Sequence, residues 1–450
     1  MKRIVLSLLL FSSCFTARAQ WYEAYSDMTG LVLSFNLKDS TLYSPLQSSD
    51  PLPVTLWQLR GDSLRVECKS LDFRMTLLRQ GPDFVGTWRQ QLLREKIAFQ
   101  PTDTLLQLRR PQQPLPPYRF LADTIVAEYT DSQGNAVHLE GTLTYPKGGG
   151  VRQTRYPCLL LVSGSGQQNR DEELMQHRPF LVIADYLASH GIAVLRYDDR
   201  GVGASRGPLD SADTRLFAED AQALFRAAWS HPAVDTTRFG IGGHSEGGAI
   251  APLVAASNPD VKFVVMLAGQ GCTGREVLLQ QNEALFRRQG LSDSLVSIRV
   301  ACMDALMALP ATASVADMQT VMERYTQGLS KAQKDSISMK KSDAYALHRS
   351  LSTRWMQSFI AFSPADYLPA VKCPVLALNG DNDCQVLATP NLQRIQQLCP
   401  HADCRLLYGL NHLFQHCTTG LPSEYIFIEE TFAPEALQVI ADFILSLHLP

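Results

Sequence analysis

The segment GGHSEGGAI, residues 242–250, places one serine among closely spaced glycines directly after an apolar-leaning stretch, residues 238–241. It contains the pattern G-x-S-x-G, with Ser245 between Gly243 and Gly247. With average glycine usage, this pattern arises by chance in about one in ten chains of this length. The pattern alone therefore does not separate a catalytic nucleophile from an ordinary loop serine, and the surrounding sequence has to decide.

The chain around Ser245 alternates between strand-like and helix-like segments from about residue 120 onward. A hairpin is predicted first, at 125–130 and 137–145, around the turn residues Gly134 and Asn135. Alternating buried strands and helices predict a mainly parallel sheet covered on both faces. The strand-like segments are 156–162, 192–197, 261–267, 374–378 and 405–408, and the helix-like ones are 179–190, 216–229, 248–257 and 434–447.

One long interval, about 270–362, interrupts this alternation. It mixes polar and apolar residues at helical spacing, most clearly at 278–288. A structureless loop of this length is uncommon inside a compact domain. We therefore predict a helical cap inserted between two strands of the sheet.

The N-terminal part of the chain has a different pattern. Residues 20–110 contain short alternating strands separated by turn residues, which predicts a small all-β domain. Residues 111–119 are rich in proline and are predicted to form a linker. The α/β domain then occupies residues 120–450, including the cap.

Two later motifs supply the partners that a nucleophilic serine needs, a base and an acid that orients it. Asp383 and His412 each follow a predicted strand, and they come after Ser245 in the order Ser, Asp, His that suits this turn. Residues at the carboxyl ends of parallel strands share one edge of the sheet. Asp381 and His416 are the alternative acid and base.

Five segments of the chain from residue 120 onward resemble the α/β-hydrolase superfamily. More narrowly, they are similar to secreted bacterial serine esterases of the dienelactone-hydrolase and serine-aminopeptidase-like branch, some of which carry an N-terminal β domain. The segments are GSGQQNRDE (164–172), RYDDRGVGAS (196–205), GHSEGG (243–248), LNGDND (378–383) and GLNHLFQ (409–415).

This resemblance implies a catalytic triad of Ser245, His412 and Asp383, with Asp383 preferred over Asp381. An oxyanion hole needs two N–H groups, one from the residue after the nucleophile, Glu246. The resemblance implies that Ser165 supplies the second, with Gly166 as an alternative. The chain has Ser163 and Gly164 where such enzymes usually have His-Gly.

Other side chains near these motifs have structural interpretations. His244 cannot easily reach the hydroxyl of its neighbour Ser245 and is expected to support packing. The carboxylate of Glu246 is expected to form a salt bridge or a cap. Asp198, Arg200, Asn169 and Arg170 are expected to form pairs that fix loops.

Composition excludes several functions. The net charge is −3 and no lysine or arginine run is dense, which argues against nucleic-acid binding. His412 and His416 are four residues apart, but no third metal ligand with matching spacing is visible. The segment 201–203 is too short for a dinucleotide fingerprint. We predict no metal and no cofactor, and the expected partner is a small-molecule acyl ester.

The first 19 residues are predicted to be a signal peptide. Two basic residues precede an apolar run too short to span a bilayer, and an A-x-A cleavage site lies at 17–19. The protein is therefore expected to be exported, to the periplasm or beyond, with no transmembrane segment in the mature chain. The alternative is a lipoprotein anchored through Cys14. Cysteine pairing is open, with Cys399 and Cys404 able to close a short loop.

Together these observations predict a serine hydrolase that cleaves carboxylic ester bonds through an acyl-enzyme. The first alternative is an exported peptidase or amidase of the same superfamily. The second is a non-catalytic binding protein.

Overall fold

The computed structural model describes residues 20–26, 30–90, 93–147, 155–209 and 211–447. The predicted signal peptide and the alternative anchor Cys14 lie outside these residues. The chain forms two compact units, the first ending at Leu108 and the second beginning at Arg109. Each unit has its own hydrophobic core.

The first unit is an antiparallel sheet, which confirms the predicted N-terminal β domain. Strand order is β3-β2-β1-β8-β7-β6-β5-β4, and aromatic side chains including Phe35, Phe84 and Phe99 fill its core. The sequence does not reveal β8 because its first half is charged, with Arg94 and Lys96 at two of its exposed positions. The strands are β1 (Trp21–Tyr25), β2 (Val32–Asn36), β3 (Thr41–Tyr43), β4 (Leu56–Arg60), β5 (Ser63–Cys68), β6 (Phe73–Gln80), β7 (Asp83–Gln90) and β8 (Leu93–Thr102).

The second unit contains the predicted mainly parallel sheet. Its strands have the order β16-β15-β14-β13-β11-β12-β10-β9, and only the pairs β9–β10 and β10–β12 are antiparallel among those described. The strands are β9 (Phe120–Thr130), β10 (Ala136–Pro146), β11 (Tyr156–Val162), β12 (Ala193–Tyr197), β13 (Val234–His244), β14 (Val264–Leu267), β15 (Val375–Gly380) and β16 (Asp403–Leu407).

Helices cover both faces of this sheet. On one face, α2 and α3 share a core with the sheet, and on the other face α1 and α11 do so. Burial on both faces explains why β11 and β14 are continuous apolar runs. These helices are α1 (Pro179–Ser189), α2 (Thr214–Ala228), α3 (Glu246–Ser257) and α11 (Pro434–Ser446). Helix α10 (Ala388–Leu398) lies between β15 and β16.

The interval between β14 and β15 is helical, as predicted for the cap. Its helices pack around a core of their own that is rich in methionine, including Met303, Met318 and Met322. Methionine is unbranched and adapts to irregular gaps between short helices. The cap helices are α4 (Gly274–Arg288), α5 (Asp293–Met307), α6 (Val315–Tyr325), α7 (Lys331–Ser336), α8 (Asp343–Leu351) and α9 (Arg354–Ala361).

The cysteines of the described residues, including Cys399 and Cys404, are all free thiols. None of the helices in the described part of the chain combines the length and the apolar character needed to cross a membrane.

Candidate active site

Ser245 lies on a strained turn between β13 and α3. Its backbone has φ 55° and ψ −116°, a conformation that costs a non-glycine residue about 1–3 kcal/mol. A Cβ on Gly243 would lie 2.4 Å from the Gly247 carbonyl oxygen, and a Cβ on Gly247 would lie 2.1 Å from that of Val162. Only glycine fits at these two positions, because backbone atoms approach there. The G-x-S-x-G pattern therefore serves the turn that exposes Ser245 at the sheet edge.

His412 and Asp383 form a buried pair at the same edge. The distance between His412 Nδ1 and Asp383 Oδ2 is 2.7 Å, and both side chains are nearly inaccessible to solvent. The backbone N–H groups of Gln385 and Val386 donate to Asp383 Oδ1 at 2.7 and 2.9 Å and fix the carboxylate. With Nδ1–H donating to the carboxylate, Nε2 of His412 is the nitrogen that can accept a proton.

The alternative acid and base have other partners. Asp381 Oδ1 accepts a hydrogen bond of 2.7 Å from the Gly409 N–H, which ties together the turns after β15 and β16. His416 is half-exposed and lies between Glu430 and Glu435, at 2.9 and 3.0 Å. The structure thus brings Asp383, and not Asp381, to His412.

His244 connects the nucleophile turn to the loop of His412. The two imidazole ring centroids are 4.6 Å apart, and His244 Nε2 lies 2.8 Å from the carbonyl oxygen of His412. His244 Nδ1 lies 3.0 Å from Oε1 of the buried Glu172. Burial opposes charge on His244, but the Glu172 carboxylate, the His412 carbonyl and Asp383 together outweigh this and raise the pKa of the imidazole above its ordinary value. His412 is therefore held directly beside the residue that precedes Ser245.

The two predicted oxyanion donors lie at the ends of different elements. Glu246 is the first residue of α3, and N–H groups in the first turn of a helix have no partner within that helix. Ser165 belongs to the loop after β11 and is exposed. Gly164, the residue before Ser165, approaches Ser245 so closely that a Cβ on it would lie 3.2 Å from the serine Cβ.

Two buried carboxylates fix the loop that carries Ser165. The Gly164 N–H donates to Glu172 Oε1 at 2.6 Å. Asp199 accepts from the Ser163 hydroxyl at 2.8 Å and from the Gln168 N–H at 3.0 Å. Burial raises the pKa of Asp199 well above its ordinary value, although these hydrogen bonds oppose the shift. The loop is therefore held on both sides of Ser165.

The carboxylate of Glu246 is buried and connects the start of α2 with helix α9 of the cap. It accepts from the Thr214 hydroxyl at 2.6 Å and from Nε1 of Trp355 at 3.0 Å. Burial raises the pKa of Glu246 to about 6, while these hydrogen bonds pull it down and the nearby Asp213 adds to the rise. The expectation of a salt bridge or cap for this side chain is wrong, because its partners are a hydroxyl and an indole.

A cavity of about 730 Å³ opens between the Ser165 loop, the start of α2 and helix α9 of the cap. Trp355 lines this cavity and also donates a hydrogen bond to the side chain of Glu246, the residue after Ser245. Arg354 is its one charged lining residue among those described, and its Nε lies 3.1 Å from Asp213 Oδ2. The lining consists of Ser165, Gly166, Gln167, Leu209, Ala212, Phe217, Ser352, Thr353, Arg354 and Trp355.

The remaining polar residues of the motifs form the expected structural pairs. Arg170 contacts Asp198 at 2.6 Å, and Arg200 lies between Asp131 and Asp220 at 2.9 and 2.8 Å. Within the described residues, no group of three or more histidine, cysteine or acidic side chains is arranged to hold a metal ion.

Sequence reasoning did not assign Glu172, Thr214 or Trp355 to the site. Glu172 contacts His244 across 72 residues of sequence, and Trp355 contacts Glu246 across 109. No local spacing signals such contacts, because they depend on which loops the sheet and the cap bring together. Glu172 lies in the segment 164–172 that resembles the superfamily, which is the one signal that marks it.

Comparison with known proteins gives relatives of two kinds. The sequence model of the family described as serine aminopeptidase, S33, matches residues 178–414. Esterase EstD of Thermotoga maritima is 32% identical over 143 residues, which are 32% of this chain and 33% of EstD. The chain therefore matches about a third of the length of this curated relative.

Solved structures of low identity are also similar. The α/β hydrolase GrgF from Penicillium sp. sh18 has a TM-score of 0.42 and 17% identity, covering 73% of this chain and 99% of GrgF. Proline iminopeptidase of Mycobacterium smegmatis has a TM-score of 0.41 and 17% identity, covering 72% and 98%. The family match includes Ser245, Asp383 and His412 and spans more than half of the chain. The chain therefore belongs to the serine aminopeptidase S33 family of α/β hydrolases.

Proposed function

We propose that the protein hydrolyses carboxylic esters through an acyl-enzyme on Ser245. The observation that carries this proposal is the buried His412–Asp383 pair, at the same sheet edge as the strained Ser245 turn. This is the arrangement that an activated serine requires, a base oriented by an acid. The match to esterase EstD over a third of its length favours an ester as the substrate.

The proposed reaction has two steps, acylation of the serine and hydrolysis of the acyl-enzyme. His412 Nε2 takes the proton of the Ser245 hydroxyl while Oγ attacks the acyl carbonyl carbon. The N–H groups of Glu246 and Ser165 stabilise the oxyanion, and His412 then protonates the departing alcohol oxygen. Water, deprotonated by His412, then attacks the acyl-enzyme carbonyl, and His412 returns this proton to Ser245 Oγ as the bond to the serine breaks and the acid leaves. Asp383 keeps Nδ1 protonated and stabilises the imidazolium in both steps.

The principal alternative is aminopeptidase activity, which the family description names. An aminopeptidase must bind a cationic amino terminus, and a carboxylate in the pocket is the natural partner. The one charged lining residue among those described in the cavity is Arg354, and the Glu246 carboxylate already has Thr214 and Trp355 as donors. Because Arg354 is itself paired with Asp213, these features favour a neutral acyl group over an ammonium group.

The test compares aryl esters of increasing acyl length with aminoacyl anilides on the purified protein. We expect ester hydrolysis that Ser245→Ala abolishes, and covalent labelling of Ser245 by a fluorophosphonate that mass spectrometry locates. His416→Ala is the matched control for His412→Ala, because His416 pairs with surface carboxylates. Preference for the anilides would replace the ester proposal with the peptidase alternative, and absence of labelling would favour a binding protein.

We also propose that the protein is exported, on the basis of the signal-peptide pattern in residues 1–19. Mass spectrometry of the native protein from cell fractions tests this. An N-terminus at Gln20 supports cleavage at the A-x-A site, whereas lipid on Cys14 supports the anchored alternative.

A further inference from the structure

A second histidine–carboxylate pair, formed by His244 and Glu172, lies behind the proposed triad. Glu172 and His244 are 6% exposed each. A single oxygen of Glu172, Oε1, lies 3.0 Å from His244 Nδ1 and accepts the Gly164 N–H at 2.6 Å. On its other side, His244 contacts the carbonyl oxygen of His412 at 2.8 Å. One carboxylate and one imidazole thus join three parts of the site. These are the oxyanion loop (the loop after β11 that carries Gly164 and Ser165), the turn of Ser245 and the loop of His412.

The partners of His244 determine its charge. Both ring nitrogens face acceptors, a carboxylate oxygen and a carbonyl oxygen. A neutral imidazole has one N–H and can satisfy only one of them, whereas the imidazolium donates to both. The titratable groups that face His244 are Glu172, His412 and Asp383. Glu172 contacts the ring directly, so it supplies the charge that balances the buried imidazolium.

We propose that the Glu172–His244 ion pair is a positioning device that holds the loop of His412 and the oxyanion loop in their catalytic arrangement. The inference rests on the proposed function of Ser245, His412 and Asp383. Glu172 and His244 transfer no proton to substrate in this scheme. They act through two backbone groups, the carbonyl of His412 and the N–H of Gly164.

The position of the Glu172–His244 pair explains how it can influence both the oxyanion donor and the base of the proposed site. The proposed oxyanion donor Ser165 directly follows Gly164, and the proposed base is the residue whose carbonyl His244 binds. Loss of charge on either partner leaves a buried group without a charged partner and releases one of the two loops. Because a charge-assisted hydrogen bond stabilises more than a neutral one, neutral substitutions should lower kcat by about tenfold to a hundredfold.

The test uses Glu172→Gln in the full chain, with Glu173→Gln as the matched control. Glu173 is the adjacent buried carboxylate, and it pairs with Arg178 at 3.2 Å. We expect Glu172→Gln to lower kcat and the rate of fluorophosphonate labelling with KM little changed, and Glu173→Gln to leave both rates near those of the wild type. His244→Gln, which keeps a donor for the His412 carbonyl without the charge, is a second variant that should lower kcat similarly.

A spectroscopic readout tests the charge itself. In protein with nitrogen-labelled histidine, the His244 signal, assigned by its loss in His244→Gln, should be that of an imidazolium at neutral pH in the wild type. In Glu172→Gln it should be that of a neutral ring. A neutral His244 in the wild type, or equal losses of kcat in Glu172→Gln and Glu173→Gln, would overturn the inference. An inactive, unlabelled wild type would instead overturn the proposed function, so the two failures are distinguishable.

Discussion

Asp381 and Asp383 are two residues apart on one turn, yet they make different contacts. Asp383 contacts His412 Nδ1, whereas Asp381 accepts the Gly409 N–H. The side chain at 383 therefore sets the tautomer of the proposed base, and the one at 381 fixes a turn.

We accordingly expect Asp383→Asn to lower kcat/KM by about 10⁴-fold, because an amide at this position favours the wrong tautomer of His412. Asp381→Asn removes charge from a hydrogen bond to a backbone N–H and should lower kcat/KM by less than about tenfold. Steady-state ester hydrolysis by the two variants measures the difference. Equal losses would mean that the acid of the triad is assigned to the wrong residue.

Glu246 gives the stability of the protein a dependence on pH. Its pKa in the folded protein is about 6, above the ordinary value of 4.5. Between these two values the folded state binds more protons than the unfolded state, so stability falls as the pH rises through this window. The shift corresponds to about 2 kcal/mol lost by neutral pH.

Glu246→Gln replaces the carboxylate by a neutral group of the same shape, which can still accept from Trp355. We expect this variant to be more stable than the wild type by about 2 kcal/mol above pH 6, with the difference disappearing below pH 4.5. Denaturant unfolding across this range measures it. A variant less stable than the wild type at neutral pH would show that the ionised carboxylate is favourable in the folded state.

At the scale of elements, helix α9 of the cap is attached to the start of α3 through Trp355. Its Nε1–H donates to both oxygens of Glu246 at 3.0 Å, and its ring stacks on Phe359. The contact fixes one wall of the cavity relative to the residue that follows Ser245.

Trp355→Phe keeps the aromatic ring and removes the donor. Because a hydrogen bond to a charged acceptor stabilises by about 1.5–3 kcal/mol, we expect a loss of that size above pH 6 and a smaller loss below it, where Glu246 is protonated. Trp229→Phe is the control, since Trp229 packs on Phe225 and Phe239 and its replacement should have an effect independent of pH. Equal pH dependence in both variants would rule out the role of the indole donor.

The elements that could be predicted from sequence are those whose pattern is local. Residues 156–162 are a continuous apolar run and form β11 with those bounds, and the glycines around Ser245 correctly indicate the turn. Strand β14 begins at Val264 rather than at residue 261, because the Val261 N–H closes a turn by donating to the carbonyl oxygen of Asn258. The Glu172–His244 and Glu246–Trp355 contacts could not be predicted, since sheet order and cap placement create them.

At the scale of the whole molecule, the segment that joins the two units belongs to the second by its contacts. Arg110 donates to the carbonyl oxygens of Met175, Ile426 and Ile428. Gln112 donates to the Phe432 carbonyl oxygen at 2.7 Å and accepts the Phe432 N–H at 3.0 Å. The proline-rich stretch predicted as a linker is therefore fixed along the α/β unit.

These contacts reach the loop that carries His412. Phe432 stacks on Phe414 with ring centroids 5.2 Å apart, and the Ala433 N–H donates to the Phe414 carbonyl oxygen at 2.7 Å. Phe414 is two residues from His412 and completely buried. Gln112 thus fixes the segment around Phe432, which packs against the loop of His412.

Two truncated proteins separate the contribution of this segment from that of the β domain. A chain that begins at residue 109 keeps these hydrogen bonds and its own hydrophobic core, so it should fold and retain the ester hydrolysis of the full chain. A chain that begins at residue 120 loses them and should be less stable by about 1 kcal/mol for each hydrogen bond removed, with a lower kcat. Thermal unfolding and ester kinetics measure the stability and the kcat of the two truncated proteins and of the full chain. Equal stability and activity would mean that the segment is only a spacer, and loss of activity in both would assign a catalytic contribution to the β domain.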